Sequence, residues 1–337
     1  MTVLSDWVKA LPKAELHVHL EGTVRPLTYQ RIARRNQVDV SNDTAALFGC
    51  HDFPSFLSAF VQVVKAFKTP QDFYEIATEY LAECHAQSVR HVELMFSPAT
   101  LRYFDASADV KGMVAAIDTA LDEAQARTGI SGLLIVDMVR NLGPESAEAD
   151  LDLALQCQAQ RVVGIGLGGD EQRFPARDFA DVFTRARDAG LRRTVHAGEA
   201  AGADSVQDAV RLCHAERIGH GVAAAHSPET MHLLRESDVA IDVCLTSNDI
   251  TGAWNRYQAH PMIRFINDGL AVTLNSDDPS FFKASLCDEY YRAAELGLSQ
   301  SELAKLAANS FKYSFAVDES KRRWLVELDQ FNAARPA

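Results

Sequence analysis

Short apolar runs recur along the chain, each closed by a polar or glycine-containing turn. They are AELHVHL at 14–20, VRHVELMF at 89–96, GLLIVDMV at 132–139, RVVGIGL at 161–167, LRRTVH at 191–196, ERIGH at 216–220, VAIDVCL at 239–245 and LAVTLN at 270–275. Their shortness and β-branched content predict buried parallel strands. Most gaps between them carry helical patterns, such as ARDFADVFTRARDAG at 176–190. Strands alternating with helices imply a parallel sheet, and eight such units predict a closed (β/α)8 barrel. The first gap, 21–88, is the longest, and extra helices are expected there near the barrel mouth. In it, Phe53, Phe56, Leu57 and Phe60 follow i, i+3, i+4, i+7 spacing, which makes one apolar helix face. From its spacing alone, that face packs on the barrel. Ser299 and Glu302 have capping-box spacing before LAKLAA. The competing fold, an open doubly wound sheet, needs a Gly-rich phosphate loop after an early strand. The glycine cluster GIGLGGDE at 164–171 follows the fourth run and lacks the G-x-G-x-x-G order.

Composition narrows the partners. A length prior would split 337 residues into about two domains, but a barrel holds about 250 or more in one. One domain over residues 1–337 is therefore expected, with a tail that frays after about Phe331. The net charge of −13 and the lack of a basic run argue against nucleic acid or an anionic membrane as partner. Arg31 to Arg35 reads as a solvated helix face. Cys50, Cys84, Cys157, Cys213, Cys244 and Cys287 are scattered, with no C-x-x-C pair to suggest a structural zinc knuckle or a disulfide framework. MTVLSDWVKALPK lacks the apolar region of a signal peptide, and no window nears the ~18 apolar residues of a membrane span. The cytoplasm is the default expectation.

The candidate chemistry sits at the ends of the runs. His17 and His19, at i and i+2 on the first predicted strand, point to one side of the pleat. His196 ends the fifth run and His220 the sixth, while Asp277 and Asp278 follow the eighth. Singly, each is more readily a structural histidine or a helix-capping aspartate. Together they place imidazoles and carboxylates at the C-terminal ends of four strands, where barrel active sites lie. Three histidines and an aspartate suit zinc. Glu199, three residues after His196 in HAGE, either shuttles protons or merely favours a helix dipole.

AELHVHLEGT, GLGGDE, VHAGE, RIGHGV and LNSDDPSFF resemble, in order and at similar spacing, the adenosine deaminase family of metal-dependent hydrolases. The resemblance runs from about Leu11 to about Phe315. It implies that His17, His19, His196 and Asp277 hold one Zn2+ per chain, and that Glu199 passes a proton to the purine N1. It implies that His220 and Asp277 orient the attacking water, that Asp278 meets N7 and that the Gly169 backbone meets N3. It also makes Phe53, Phe56, Leu57 and Phe60 an apolar lid over a bound nucleoside, with His19 and Glu21 on the substrate side.

The reaction so implied is hydrolytic deamination of a 6-aminopurine, with a small-molecule purine as partner. The related adenine deaminases usually carry SSE for GDE and DHG for GHG, so Gly169-Asp170-Glu171 and Gly219-His220 point to a nucleoside, adenosine or deoxyadenosine. Glu21 stands where the best-known adenosine deaminases have an aspartate that binds the ribose 5′-hydroxyl. That longer side chain keeps a 5′-modified nucleoside such as aminodeoxyfutalosine, or adenine itself, as alternatives. The cytidine type of zinc deaminase needs H-x-E with P-C-x-x-C, which is missing. A binuclear hydrolase would need a bridging Lys or Glu where the chain instead runs into GLGGDE. A catalytically lapsed purine-binding barrel is the non-enzyme alternative, and every expected ligand and acid being present weighs against it. The sequence does not give the oligomeric state.

Overall fold

The computed structural model describes residues 2–39, 44–254 and 259–334. All eight predicted strands form, as β1 (Lys13–His19), β2 (Val89–Phe96), β3 (Ser131–Val139), β4 (Val162–Gly168), β5 (Arg192–Ala197), β6 (Arg217–His220), β7 (Ala240–Val243) and β8 (Val272–Leu274). They pair in parallel in sequence order, from β1 to β8, in one sheet. Helices fill the gaps, and the result is a TIM (β/α)8 barrel. The seventh run is cut short because a helix, Leu245–Thr251, begins inside it. The pattern at 176–190 splits into a 3-10 turn, Ala176–Phe179, and a helix, Ala180–Asp188.

The ring closes differently from the rest of the sheet. Between β8 and β1 there is one isolated bridge, Val18 with Asp277. His19 N–H donates to Asp277 O at 2.9 Å, and Asp277 N–H to His17 O at 3.2 Å. Below that bridge a side chain takes the place of the ladder. Asn275 Oδ1 accepts from Leu16 N–H at 2.8 Å and from His17 N–H at 3.1 Å. Glu15 Oε1 accepts from Ser276 N–H at 2.9 Å, and its other oxygen accepts from Tyr80. The seam thus ties the strand that carries two candidate ligands to the segment that carries a third.

The barrel lumen is crossed by charge. Arg217 of β6 reaches Glu93 of β2 at 2.7 Å and Asp242 of β7 at 2.9 Å, all fully buried. Burying charges is costly unless they are paired, and here a double pair and the Phe315 ring, 3.8 Å from the guanidinium carbon, surround the cation. Arg217 also donates to Leu16 O at 3.1 Å, one residue before His17.

Between β1 and β2, among the described residues, lie four α-helices, Pro26–Arg35, Thr44–Leu47, Phe53–Val64 and Pro70–Ala86. Asp52 starts the third by accepting from Ser55 N–H at 2.8 Å. The expected box at Ser299 and Glu302 is made in both directions, at 2.8 and 3.3 Å. Arg31 and Arg35 stay at the surface but lie against Glu75 and Asp72. The last helix, Asp318–Ala333, runs past Phe331, and residues 335–337 lie outside the described set. Among the described residues no helix is long and apolar enough to cross a membrane.

Candidate active site

β1 brings His17 and His19 to the C-terminal mouth of the barrel, where β5 brings His196 and the β8 loop brings Asp277. His17 Nε2 and His19 Nε2 each lie 3.4 Å from Asp277 Oδ1, and His19 Nε2 lies 3.2 Å from His196 Nε2. A tetrahedral zinc with ligands at 2.0–2.1 Å sets its ligand atoms about 3.3–3.4 Å apart. All four ligand atoms lie within 4.8 Å of one another, and all four residues are buried. The two ring nitrogens of His17 are buried with no hydrogen-bond partner, and a bound cation would relieve the one that faces the cluster, Nε2. Gly219 makes room for that ring, since a Cβ there would lie 2.5 Å from His17 Cε1.

Three of the four candidate ligands are in the protonation state a metal cation needs. Burial holds His17 and His196 below the usual imidazole range, hence neutral. His196 Nδ1 donates to Leu167 O at 3.2 Å, which leaves the Nε2 lone pair facing the cluster. Burial acts against Asp277, but the His17 and His19 imidazoles outweigh it and keep the carboxylate well below its usual range. Burial likewise opposes protonation of His19, yet Asp278, Asp277 and Asp137 hold it well above the usual range. A crowd of carboxylates around one imidazole is where a cation belongs. A second group, His220, Cys244 and Asp277, shares the same aspartate. Burial, then Asp277 and Glu289, push the Cys244 thiol far up, which makes it a poor ligand.

Glu199 sits above this cluster in the loop after β5. Burial, reinforced by Asp277 and Glu171, pushes its carboxyl up to about 8. Its Oε2 lies 3.6 Å from His220 Nε2, which is in turn 4.0 Å from Asp277 Oδ2. His220 and Asp277 both adopt left-handed backbone, at φ +64° and +63°. Non-glycine residues rarely do so, and such outliers cluster where side chains must be aimed. Asp278 is buried with Oδ1 unpartnered, and burial and Asp277 push its carboxyl well up. Glu21 accepts from Ser97 N–H at 2.9 Å on one oxygen and leaves the other buried and unpartnered. Burial raises it to about 7. Gly169, at the end of β4, has φ +103°, and a Cβ there would meet Asn141 Oδ1 at 2.4 Å.

The predicted apolar helix face divides. Phe56 packs on Phe281 and Phe282, with ring centroids 5.7 and 4.9 Å away, and Phe60 on Phe281 at 5.8 Å. Those two phenylalanines belong to the DDPSFF segment. Phe53 and Leu57 remain 37% and 46% exposed. The helix touches the Leu20–Thr23 turn and the Leu245–Thr251 helix, so it stands beside the mouth.

Some residues around the site carry no mark in the sequence. Asp137 of β3 lies 3.6 Å from His19 Nδ1. Glu171 accepts from four consecutive amides, those of Gly198, Glu199, Ala200 and Ala201. Glu171 closes the GLGGDE motif, and only the fold shows which amides it holds. Asn248 touches His220 and, on its other side, His260.

Comparison with known proteins identifies the family. The family described as adenosine deaminase matches residues 12–331. An adenine deaminase of Acinetobacter baylyi is 35% identical over 331 residues, covering 97% of this chain and 99% of that one. The crystal structure of an adenine deaminase from Arthrobacter aurescens superposes with a TM-score of 0.90 at 32% identity, covering 96% of this chain and all of that one. A zinc-bound amidohydrolase from Burkholderia ambifaria gives a TM-score of 0.91 at 27% identity, covering 98% and 94% of the two chains. This chain belongs to the adenosine deaminase family, and is a metal-dependent hydrolytic deaminase acting on purines.

Proposed function

We propose that the chain hydrolyses the 6-amino group of adenine, releasing ammonia, at one zinc held by His17, His19, His196 and Asp277. The observation that carries this reading is the convergence of a partly buried Glu199, its carboxyl pushed up to about 8, and the unpartnered Asp278 Oδ1 on that four-residue cluster. Zinc in such a site supplies Lewis-acid activation of water, bringing its pKa from 15.7 to about 7. The remaining work belongs to side chains. Addition at C6 breaks ring aromaticity and throws charge onto N1. Glu199 holds a proton at neutral pH and stands where it meets N1, so it neutralises that charge as it builds. Asp278, whose carboxyl burial and Asp277 push well up, is the group that meets N7. Gly169, having no side chain, lets its backbone approach the ring. His220 faces the attacking oxygen and stabilises it electrostatically.

Adenine, rather than the nucleoside expected from the motifs, is supported by relatives named adenine deaminase that match this chain over nearly its whole length. Glu21 fits it too: one oxygen is held by Ser97 N–H and the other is left for a ring N–H, which adenine carries at N9 and its nucleosides lack. The nucleoside remains a second reading because GDE and GHG, not SSE and DHG, frame the site. Ammonia release from adenine, adenosine, deoxyadenosine, AMP and a 5′-extended adenine nucleoside decides between them. Adenine should show the highest kcat/KM. A nucleoside exceeding it establishes the second reading, and no release from any purine by zinc-loaded protein defeats both.

A further inference from the structure

We propose that Asn248 and His260 form a relay that fixes the tautomer of His220, so that His220 presents an N–H, not a lone pair, to the oxygen that attacks C6. The inference rests on the proposed deaminase reading for its catalytic consequence, but not for the tautomer itself.

One group in the relay has a role that admits no choice. Met262 N–H, a backbone donor, points at His260 Nδ1 at 3.1 Å. That nitrogen must therefore accept. Burial, helped by the nearby Arg292 guanidinium, drives His260 down to about 3, so its ring carries one proton. With Nδ1 accepting, the proton sits on Nε2. Nε2 lies 3.2 Å from the Asn248 side chain, and the atom it meets must accept, which makes it the carbonyl Oδ1. The amide nitrogen of Asn248 then faces the other way, 2.9 Å from His220 Nδ1. An NH2 group only donates, so His220 Nδ1 accepts. The one place left for a proton on His220 is Nε2, the nitrogen that lies 3.6 Å from Glu199 and 4.0 Å from Asp277. Each assignment forces the next, and the orientation of the Asn248 amide follows from the chain instead of being assumed.

The scaffold holds the relay rigidly. Asn248 is fully buried, and its backbone N–H donates to Cys244 O at 2.9 Å. Glu289 caps the start of its helix by accepting from Leu245 and Thr246 N–H at 2.6 and 3.2 Å. Arg292 fastens the same helix through Asp249 at 2.6 Å. Asn248 and His260 touch neither candidate metal ligands nor the purine positions named above, so they are positioning residues. Their effect is to make His220 a hydrogen-bond donor. An imidazole of the opposite tautomer would turn a lone pair toward an oxygen that already carries negative charge.

The test is nitrogen NMR of the full-length, zinc-loaded chain labelled with 15N-histidine, with His220 signals assigned by their loss in His220→Gln. Wild type should show His220 protonated at Nε2 and unprotonated at Nδ1. In Asn248→Asp, a carboxylate that only accepts replaces the donor, and the His220 proton should move to Nδ1. Its kcat should fall about 10²-fold or more, the usual effect of removing one donor to a developing oxyanion, with KM and zinc content little changed. His260→Leu frees the Asn248 amide to flip and should give both tautomers of His220 with a smaller loss. His260→Gln, whose amide can still donate to Asn248, should restore the single tautomer and most of kcat. A wild-type proton on Nδ1 overturns the proposal. So does an inverted tautomer in Asn248→Asp with unchanged kcat, or unchanged tautomer and kcat in both Asn248→Asp and His260→Leu. If the wild type deaminates no purine, the functional reading fails, while the wild-type spectrum still tests the relay.

Discussion

Glu171→Gln asks whether the proton carrier Glu199 is held in place or merely lies in a loop. One oxygen of Glu171 accepts from Gly198 N–H, and the other from Glu199, Ala200 and Ala201 N–H at 3.1, 2.8 and 3.0 Å. A carboxylate has acceptors on both sides. A glutamine has one oxygen, and its NH2 must confront whichever amides are left. Turned the better way, it keeps three hydrogen bonds and sets its NH2 against Gly198 N–H. A bond to a charged acceptor contributes about 1.5–3 kcal/mol and a neutral one about 0.5–1.5. Weakening three by about 1 kcal/mol each and losing the fourth removes on the order of 5 kcal/mol from the order of this loop. If half of that is felt only as Glu199 meets N1, kcat falls about 10²-fold, at 1.36 kcal/mol per factor of ten. KM should change less than kcat, because the amides that Glu171 holds, at 198–201, include no zinc ligand and, Glu199 apart, no ring contact. Steady-state ammonia release on protein of measured zinc content gives kcat and KM. Hydrogen exchange at residues 198–201 reports the loop directly and should speed up. A variant with kcat within about threefold of wild type and unaltered exchange would falsify the clamp.

Three further outcomes follow from the site. Glu199→Gln should keep its zinc and lose about 10²- to 10⁴-fold in kcat, the usual cost of removing a positioned acid; near wild-type turnover refutes its role. Gly219→Ala puts a Cβ 2.5 Å from His17 Cε1, so zinc affinity in competitive chelator titration should drop about 10- to 100-fold, as when a ligand's support is disturbed. Glu289 is raised by burial from 4.5 to about 7, so its folded-state contribution is complete below pH 4.5 and is lost as pH rises through about 7. That shift corresponds to roughly 3 kcal/mol, and Glu289→Gln should therefore gain Tm relative to wild type between pH 5 and 8; a constant difference across that range contradicts the assignment.

Much of the site was legible because its ligands obey local rules. His17 and His19 share a strand face by period two, and His196, His220 and Asp277 each close an apolar run. A barrel carries all strand ends to one mouth, so local placement became spatial placement without any knowledge of contacts. The partners of those residues follow no such rule. Glu171 lies 27 residues from Gly198, and Asn275 lies 259 from Leu16. Asn248 stands 28 residues from His220 and 12 from His260. Barrel closure chooses these pairs, and no periodicity records them. The apolar helix face shows the same limit. Its spacing foretold a face, but Phe56 and Phe60 turn toward Phe281 while Phe53 and Leu57 stay exposed, a division set by the neighbouring DDPSFF segment.

Glu21 carries this distinction into specificity. As a letter in HLEGT it differs from aspartate by one methylene, a difference of length. In the fold its direction is set as well, because Ser97 N–H, 76 residues away, donates to its Oε1 and fixes the carboxyl against the end of β2. The second oxygen is buried with nothing to bond. A buried acceptor left unpaired costs about 1–3 kcal/mol. A ligand that brings a hydrogen to it recovers that cost, and one that does not must bear it. Sites built around such a group discriminate far more sharply than apolar pockets, which separate a methylene by only about 1–3 kcal/mol. Selection among purines therefore turns on which one offers a hydrogen to Glu21, a ring N–H or a sugar hydroxyl, more than on how much room the apolar rim leaves.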